Sequence, residues 1–135
     1  MSGIRGRDTH PELLIRSLLH RTGFRFRLNV PDMPGRPDIV LPRYRAAILV
    51  HGCFWHGHGC RYFKWPATRP EFWRTKIVRN QQNDTRAISA LRSQGWRVCI
   101  VWECGTRSSP AAVEKIVGKL GKWIRGSRTM LELKE

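Results

Sequence analysis

The stretch Pro37-Asp-Ile-Val-Leu41-Pro-Arg-Tyr-Arg45-Ala-Ala-Ile-Leu-Val50-His51-Gly-Cys-Phe-Trp-His56-Gly-His-Gly-Cys60 decides the fold. Two short apolar runs, Asp38 to Leu41 and Ala46 to Val50, are separated by a Pro-led turn and are too short for helices, so they read as adjacent strands of one buried sheet. Working outward, Arg97 to Trp102 is another buried strand. Phe24, Phe26, Leu28 and Val30 alternate with polar residues like a half-buried strand, and Pro31 to Pro37 is a turn-rich connection. Thr9-His-Pro-Glu12 has capping-box spacing, and Leu14, Ile15, Leu18 and Leu19 fall on one helical face before Gly23. Thr68-Arg-Pro-Glu71 repeats that signature and opens a long helical segment ending near Gly95, with a polar stretch from Asn80 to Asp84 that could hide a break. Ser109-Pro110 caps a last helix with an apolar stripe of Val113, Ile116, Val117, Leu120, Trp123 and Ile124, after which the tail is expected to fray from about residue 126. The expected order is helix, three strands, helix, strand, helix, in a single α/β domain spanning 1–135, with no repeat and no linker.

The chain has 135 residues, 41% of them hydrophobic, enough for one real core. No apolar run is long enough to cross a bilayer and the start lacks a signal-peptide core, so a cytoplasmic protein is expected, with no membrane partner. Twenty-five Lys and Arg against ten acids, a net charge of +15, imply a polyanionic partner, with nucleic acid the leading candidate. The charge is spread along the chain, as on a folded basic surface; a ribosomal-type binder or a merely solvated surface is the bland alternative.

From Ala46 to Cys60 there is no Asp, Glu, Lys or Arg, although such residues make up 26% of the chain. Within that segment Cys53, His58 and Cys60 lie in a Gly-rich loop, and Cys104 follows the strand ending at Trp102. Together they suit a closed, tetrahedral, structural zinc site tying two strand ends together; two disulfides are the alternative, disfavoured in a reducing cytosol. Cys99, between Val98 and Ile100, reads as core. A closed zinc site leaves catalysis to other groups. Asp38, opening a strand, suits a hard cation such as Mg²⁺, or simply caps the strand. Glu12 could support the same site or serve only its helix cap. His51 and His56 flank the loop and could exchange protons with water or a phosphate oxygen. Phe54 and Trp55 lack any apolar periodicity and could wedge between base pairs or pack under the loop.

Met33-Pro-Gly-Arg-Pro-Asp38 and His51-Gly-Cys-Phe-Trp-His56 resemble motifs of the very-short-patch-repair (Vsr) mismatch endonucleases. So do Pro66-Ala-Thr-Arg69, Glu71-Phe-Trp73 and Gly95-Trp-Arg-Val98 through Val101-Trp-Glu-Cys104, in the family's order from Met1 to about Cys104. The resemblance implies a restriction-endonuclease-like (PD-(D/E)XK-type) fold, a central mixed sheet flanked by helices with one structural zinc site. It implies an endodeoxyribonuclease that nicks duplex DNA at T:G mismatches left by deamination of 5-methylcytosine. Carried over by position, Asp38 becomes the Mg²⁺-binding carboxylate and His56 the catalytic histidine, with Glu12 and His51 supporting them. The main-chain carbonyl of Val50, which stands where the family commonly has Thr, becomes a second Mg²⁺ ligand; Cys53, His58, Cys60 and Cys104 take zinc. Phe54 and Trp55 match an intercalating pair, and Met1 matches a wedge from the other groove. The usual second acid of this fold is missing from Ala46 to Cys60, which requires a histidine in the chemistry. Arg69, Arg74 and Lys76 are expected on phosphates, the protein is expected to be a monomer, and other mismatch-repair proteins are expected partners. A site-specific, homing-type nickase on the same fold and a non-catalytic zinc-stabilised nucleic-acid-binding domain are the competing functions.

Overall fold

The computed structural model describes residues 10–60, 63–107 and 109–134. Helix α1 covers His10–Arg21. Its apolar spacing puts Ile15 and Leu19 fully inside, and it ends where Gly23 takes a φ of +98° while the Thr22 hydroxyl donates to the Leu18 carbonyl. The proposed Thr9 cap lies outside the described residues. Strands β1 (Arg27–Leu28), β2 (Ile39–Leu41), β3 (Ala46–His51), β4 (Arg97–Trp102) and β5 (Met130–Leu133) form one sheet in the order β1-β2-β3-β4-β5. The first two pairings are antiparallel and the last two parallel. A 3-10 turn at Pro42–Tyr44 joins β2 to β3 and is closed by Arg45 in the left-handed region, φ 54°. The parallel pairs need crossovers, supplied by α2 (Pro70–Ser93) between β3 and β4 and by α3 (Pro110–Arg125) between β4 and β5.

Side chains alternate across β3, and the two faces bury different clusters. Ile48 joins Ile15 and Leu19 of α1 and the α3 stripe of Val113, Ile116, Val117, Leu120, Trp123 and Ile124. Ala47 and Leu49 face the other way, with Val98 and Ile100 of β4 and Leu91 of α2. Each of these large aliphatic side chains contributes about 1.5–3 kcal/mol by leaving water. The Ser109 hydroxyl accepts from the Ala112 N–H, so α3 starts where its cap signal puts it.

Four expectations are revised. The first strand is only Arg27–Leu28, because Phe24 turns inward against Tyr44 and Asn29 breaks the extended run at φ 46°. Thr68 does not cap α2: Arg69 is the N-cap, in the left-handed region and without a side-chain hydrogen bond, and Pro70 begins the helix. Nor does α2 break between Asn80 and Asp84; those polar side chains hold the neighbouring loop instead. The tail after residue 126 is a strand. Met130 pairs with Val98 and Leu133 with Val101, and the buried Leu133 joins the α1/α3 cluster. Among the described residues, no helix is long and apolar enough to cross a membrane.

Candidate active site and metal centre

The end of β3, the end of β4 and the start of β2 meet at one end of the sheet, where ligands gather in parallel α/β proteins. The loop leaving β3 is compact. The His56, Gly57 and His58 amides donate to the Gly52, Phe54 and Cys53 carbonyls, and α2 clamps it from outside: Asn80 Nδ2 donates to the Trp55 carbonyl at 2.8 Å and Gln81 Nε2 to the His56 carbonyl at 3.2 Å. Gly57 is required at this contact. Its φ is +63°, and a Cβ would stand 2.6 Å from Ile77 Cγ2 on α2.

That folding draws Cys53, His58 and Cys60 to Cys104, their ligand atoms all within 4.8 Å of one another. Cys104 Sγ lies 3.7 Å from His58 Nδ1. Zinc bonds of about 2.3 Å to sulfur and 2.0–2.1 Å to nitrogen give a tetrahedral edge of roughly 3.6 Å, so the donor set suits that ion in kind and the Cys104–His58 separation is close to such an edge. The Cys104 N–H donates to Cys53 Sγ at 3.3 Å, and burial raises the Cys53 pKa, so its thiolate calls for a compensating cation. The His58 ring stacks on Trp102 at 4.1 Å, and the Trp102 indole N–H donates to Glu132 of β5 at 2.5 Å. The strand that sequence reasoning missed therefore buttresses this cluster. Cys99 lies apart in the core.

Asp38 precedes β2, and its Oδ2 accepts the Val50 N–H at 2.6 Å. It also hydrogen-bonds to Glu12, which α1 delivers in a buried position. Burial, then the Glu12 contact, raise the Asp38 pKa to about 9, against the opposing Val50 N–H hydrogen bond and, more weakly, the Arg16 charge. Two carboxyl groups in such contact share a proton, and a hard divalent cation can take that proton's place, since the donors are all oxygen.

The histidines form a second group. His51, at the end of β3, is buried and lies flat against His56, with centroids 3.9 Å apart and planes 4° from parallel. Burial, aided by the His56 charge, lowers its pKa to about 3, so it stays neutral. His51 Nδ1 has no hydrogen-bond partner among the described residues. His56 Nδ1 lies 2.5 Å from Asp84 Oδ2, and Asp84 Oδ1 is 4.0 Å from His51 Nε2. A carboxylate accepting the Nδ1 proton leaves His56 Nε2 free to take or give one. Asp84 was missed from sequence. The only signal was the polar run Asn80 to Asp84 in the middle of a crossover helix, where a buried face is expected.

Phe54 and Trp55 are half-buried and meet edge to face at 5.2 Å, and both contact Trp73 of α2, at 5.4 and 5.8 Å. Arg69, Arg74 and Lys76 are exposed at the start of α2. Met1 lies outside the described residues.

The model of the family described as DNA mismatch endonuclease Vsr matches residues 1–62. The DNA mismatch endonuclease Vsr of Escherichia coli (strain K12) is 48% identical over 127 residues, 93% of this chain and 81% of its own. The type II nicking enzyme V.XorIIP of Xanthomonas oryzae pv. oryzae is 51% identical over 104 residues, 77% and 76% of the two chains. The type II nicking enzyme V.NmeAIP of Neisseria meningitidis is 37% identical over 116 residues, 86% and 83%. With 48% identity to the Escherichia coli enzyme over 93% of its length, and with four cysteine and histidine side chains gathered where they could hold a metal, the chain belongs to the Vsr DNA mismatch endonuclease family.

Proposed function

We propose that the protein nicks one strand of duplex DNA at T:G mismatches by Mg²⁺-dependent phosphodiester hydrolysis, in very short patch repair. The observation that carries this reading is that the Asp38 and Glu12 carboxyls and the Asp84-oriented His56 open at the same end of the sheet. We read the fold as the restriction-endonuclease type and the cysteine-histidine cluster as structural zinc held by Cys53, His58, Cys60 and Cys104. Mg²⁺ would be held by Asp38 and the Val50 carbonyl, supported by Glu12. When bound, the cation supplies charge that offsets the negative charge developing on the phosphate and on the leaving oxygen.

The residues of the chain do the rest. Asp84 fixes the His56 ring with its proton on Nδ1, so that Nε2 accepts a proton from the attacking water. The water oxygen bonds to phosphorus, the bond from phosphorus to the 3′ oxygen breaks, and the departing oxygen is protonated from solvent. Neutral His51, flat against His56, keeps that ring from turning. Arg69, Arg74 and Lys76 neutralise phosphates, while Phe54 and Trp55, backed by Trp73, wedge into the poorly stacked T:G step. Such a step deforms at low cost, and selection is then partly mechanical. The enzyme works as a cytoplasmic monomer on nucleoid DNA, beside other mismatch-repair proteins.

The designation of relatives as type II nicking enzymes favours one second reading, a nickase directed to a defined sequence. A nicking assay with Mg²⁺ on matched, T:G-mismatched and single-stranded oligonucleotides decides. Cleavage confined to the T:G duplex is expected. Equal cleavage of a matched duplex supports the second reading, and no cleavage of any substrate overturns both.

A further inference from the structure

Two of the large apolar side chains left exposed sit at the entrance to α2, and each is paired with an arginine. Trp65 is 48% exposed and carries Arg74 at 5.1 Å from its ring centroid; Phe72 is 44% exposed and carries Arg69 at 4.5 Å. Both rings are outer ends of the aromatic network that starts at Phe54. Trp65 meets Phe63 at 5.0 Å, which stacks on Phe54 at 6.0 Å; Phe72 meets Trp73 at 5.1 Å. Between residues 63 and 83 the sequence holds five basic residues and one acid, Glu71.

An apolar partner protein is a poor fit, because a guanidinium already lies over each ring. A guanidinium stacked on a ring uses its flat face and keeps its five N–H donors free around its edge, in a fixed fork that matches phosphate. Stacking also removes much of the rotamer freedom that a lone surface arginine loses on binding. We propose that Trp65 and Phe72 belong to the DNA-binding surface, each ring holding its arginine, Arg74 or Arg69, edge-on to a phosphate of the duplex that flanks the Phe54–Trp55 wedge. The occupant is the double-helical backbone, and the proposal rests on DNA being the substrate.

The test is equilibrium binding of a matched duplex without divalent cation, over a range of salt, so that nicking does not enter. Trp65→Ala is expected to weaken binding about 3- to 10-fold and to lower the salt slope by about one, as Arg74→Ala does. The double variant should be no weaker than the worse single one, because ring and cation act as a unit. Trp65→Phe should bind nearly as the parent, and Arg74→Lys should lose most of what Arg74→Ala loses. Phe72 and Arg69 form the matching cycle, and thermal melts check that each variant is folded. Parental affinity in Trp65→Ala, or losses that multiply in the double variant, would overturn the proposal while leaving the nuclease reading intact. Failure of the parent protein to bind any duplex would overturn both.

Discussion

Asp84→Asn is the sharpest perturbation of the proton-transfer group, because it is nearly isosteric and leaves α2 and the loop contacts of Asn80 and Gln81 in place. The hydrogen bond it alters spans 2.5 Å between side chains only 23% and 24% exposed. A hydrogen bond with a charged partner contributes about 1.5–3 kcal/mol. If that orientation is needed only while His56 takes its proton, the loss is roughly 10- to 150-fold in rate. Residual solvent at the pair places the expectation near the lower half, about 10- to 50-fold. The amide introduces a further effect. It can donate to His56 Nδ1 and so stabilise the tautomer with its proton on Nε2, which cannot act as a base. Asp84→Asn should therefore be no better than Asp84→Ala, although it preserves shape. Single-turnover nicking of a T:G duplex at saturating enzyme reads the chemical step, with duplex affinity measured in parallel. Affinity should stay within about twofold of parental, because the lost interaction matters only while the proton moves. Parental nicking in Asp84→Asn, or a loss of affinity equal to the loss of rate, would show that Asp84 only braces the loop.

Other expected outcomes follow from the metal centre, the last strand and the carboxyl pair. Elemental analysis should find one zinc per chain, and Cys60→Ala or Cys104→Ala should lower thermal stability more than Cys99→Ala, because zinc binding is coupled to folding. Zinc-free protein with parental stability would refute the centre. Truncation after Gly126 removes β5 and the buried Leu133, at least about 1.5–3 kcal/mol of burial, and also frees Trp102 from Glu132. A melting temperature unchanged by truncation would mean that the strand contributes nothing. Asp38 keeps its proton in the metal-free fold until pH approaches about 9, so a cation must displace that proton. Mg²⁺ affinity measured by titration should rise with pH up to that value, whereas stability of the metal-free fold should fall over the same range, because a raised carboxyl pKa stabilises only below it. Affinity that is flat between pH 6 and 9 would contradict the shared proton.

Elements marked by local chemistry were legible in the sequence: the apolar runs of β2, β3 and β4, and the Ser109 cap with the stripe of α3. The ligand cluster was also legible, because a Gly-rich loop with three donors needs only one strand end to close it, and Cys104 is placed there by the parallel β3–β4 pairing. What depends on distant pairing was not. Met130 to Leu133 is four residues among charged neighbours, and becomes a strand only because β4 offers a free edge. Arg69 at the head of α2 breaks the expected cap, since Pro70 needs no donated hydrogen bond. Asp84 sits 28 residues from His56, and on a helix a carboxylate among Asn and Gln looks like a solvated face until the fold sets it against the loop.

The measurement that bears most directly on the proposed catalytic centre is Mg²⁺-dependent nicking by Asp38→Ala on a T:G duplex. The substitution removes the carboxylate beside Val50 and Glu12 but none of the cysteine-histidine ligands, so the protein should stay folded and keep its duplex affinity. No nicking above background is expected at any Mg²⁺ concentration; a parental rate at saturating Mg²⁺ would contradict the account.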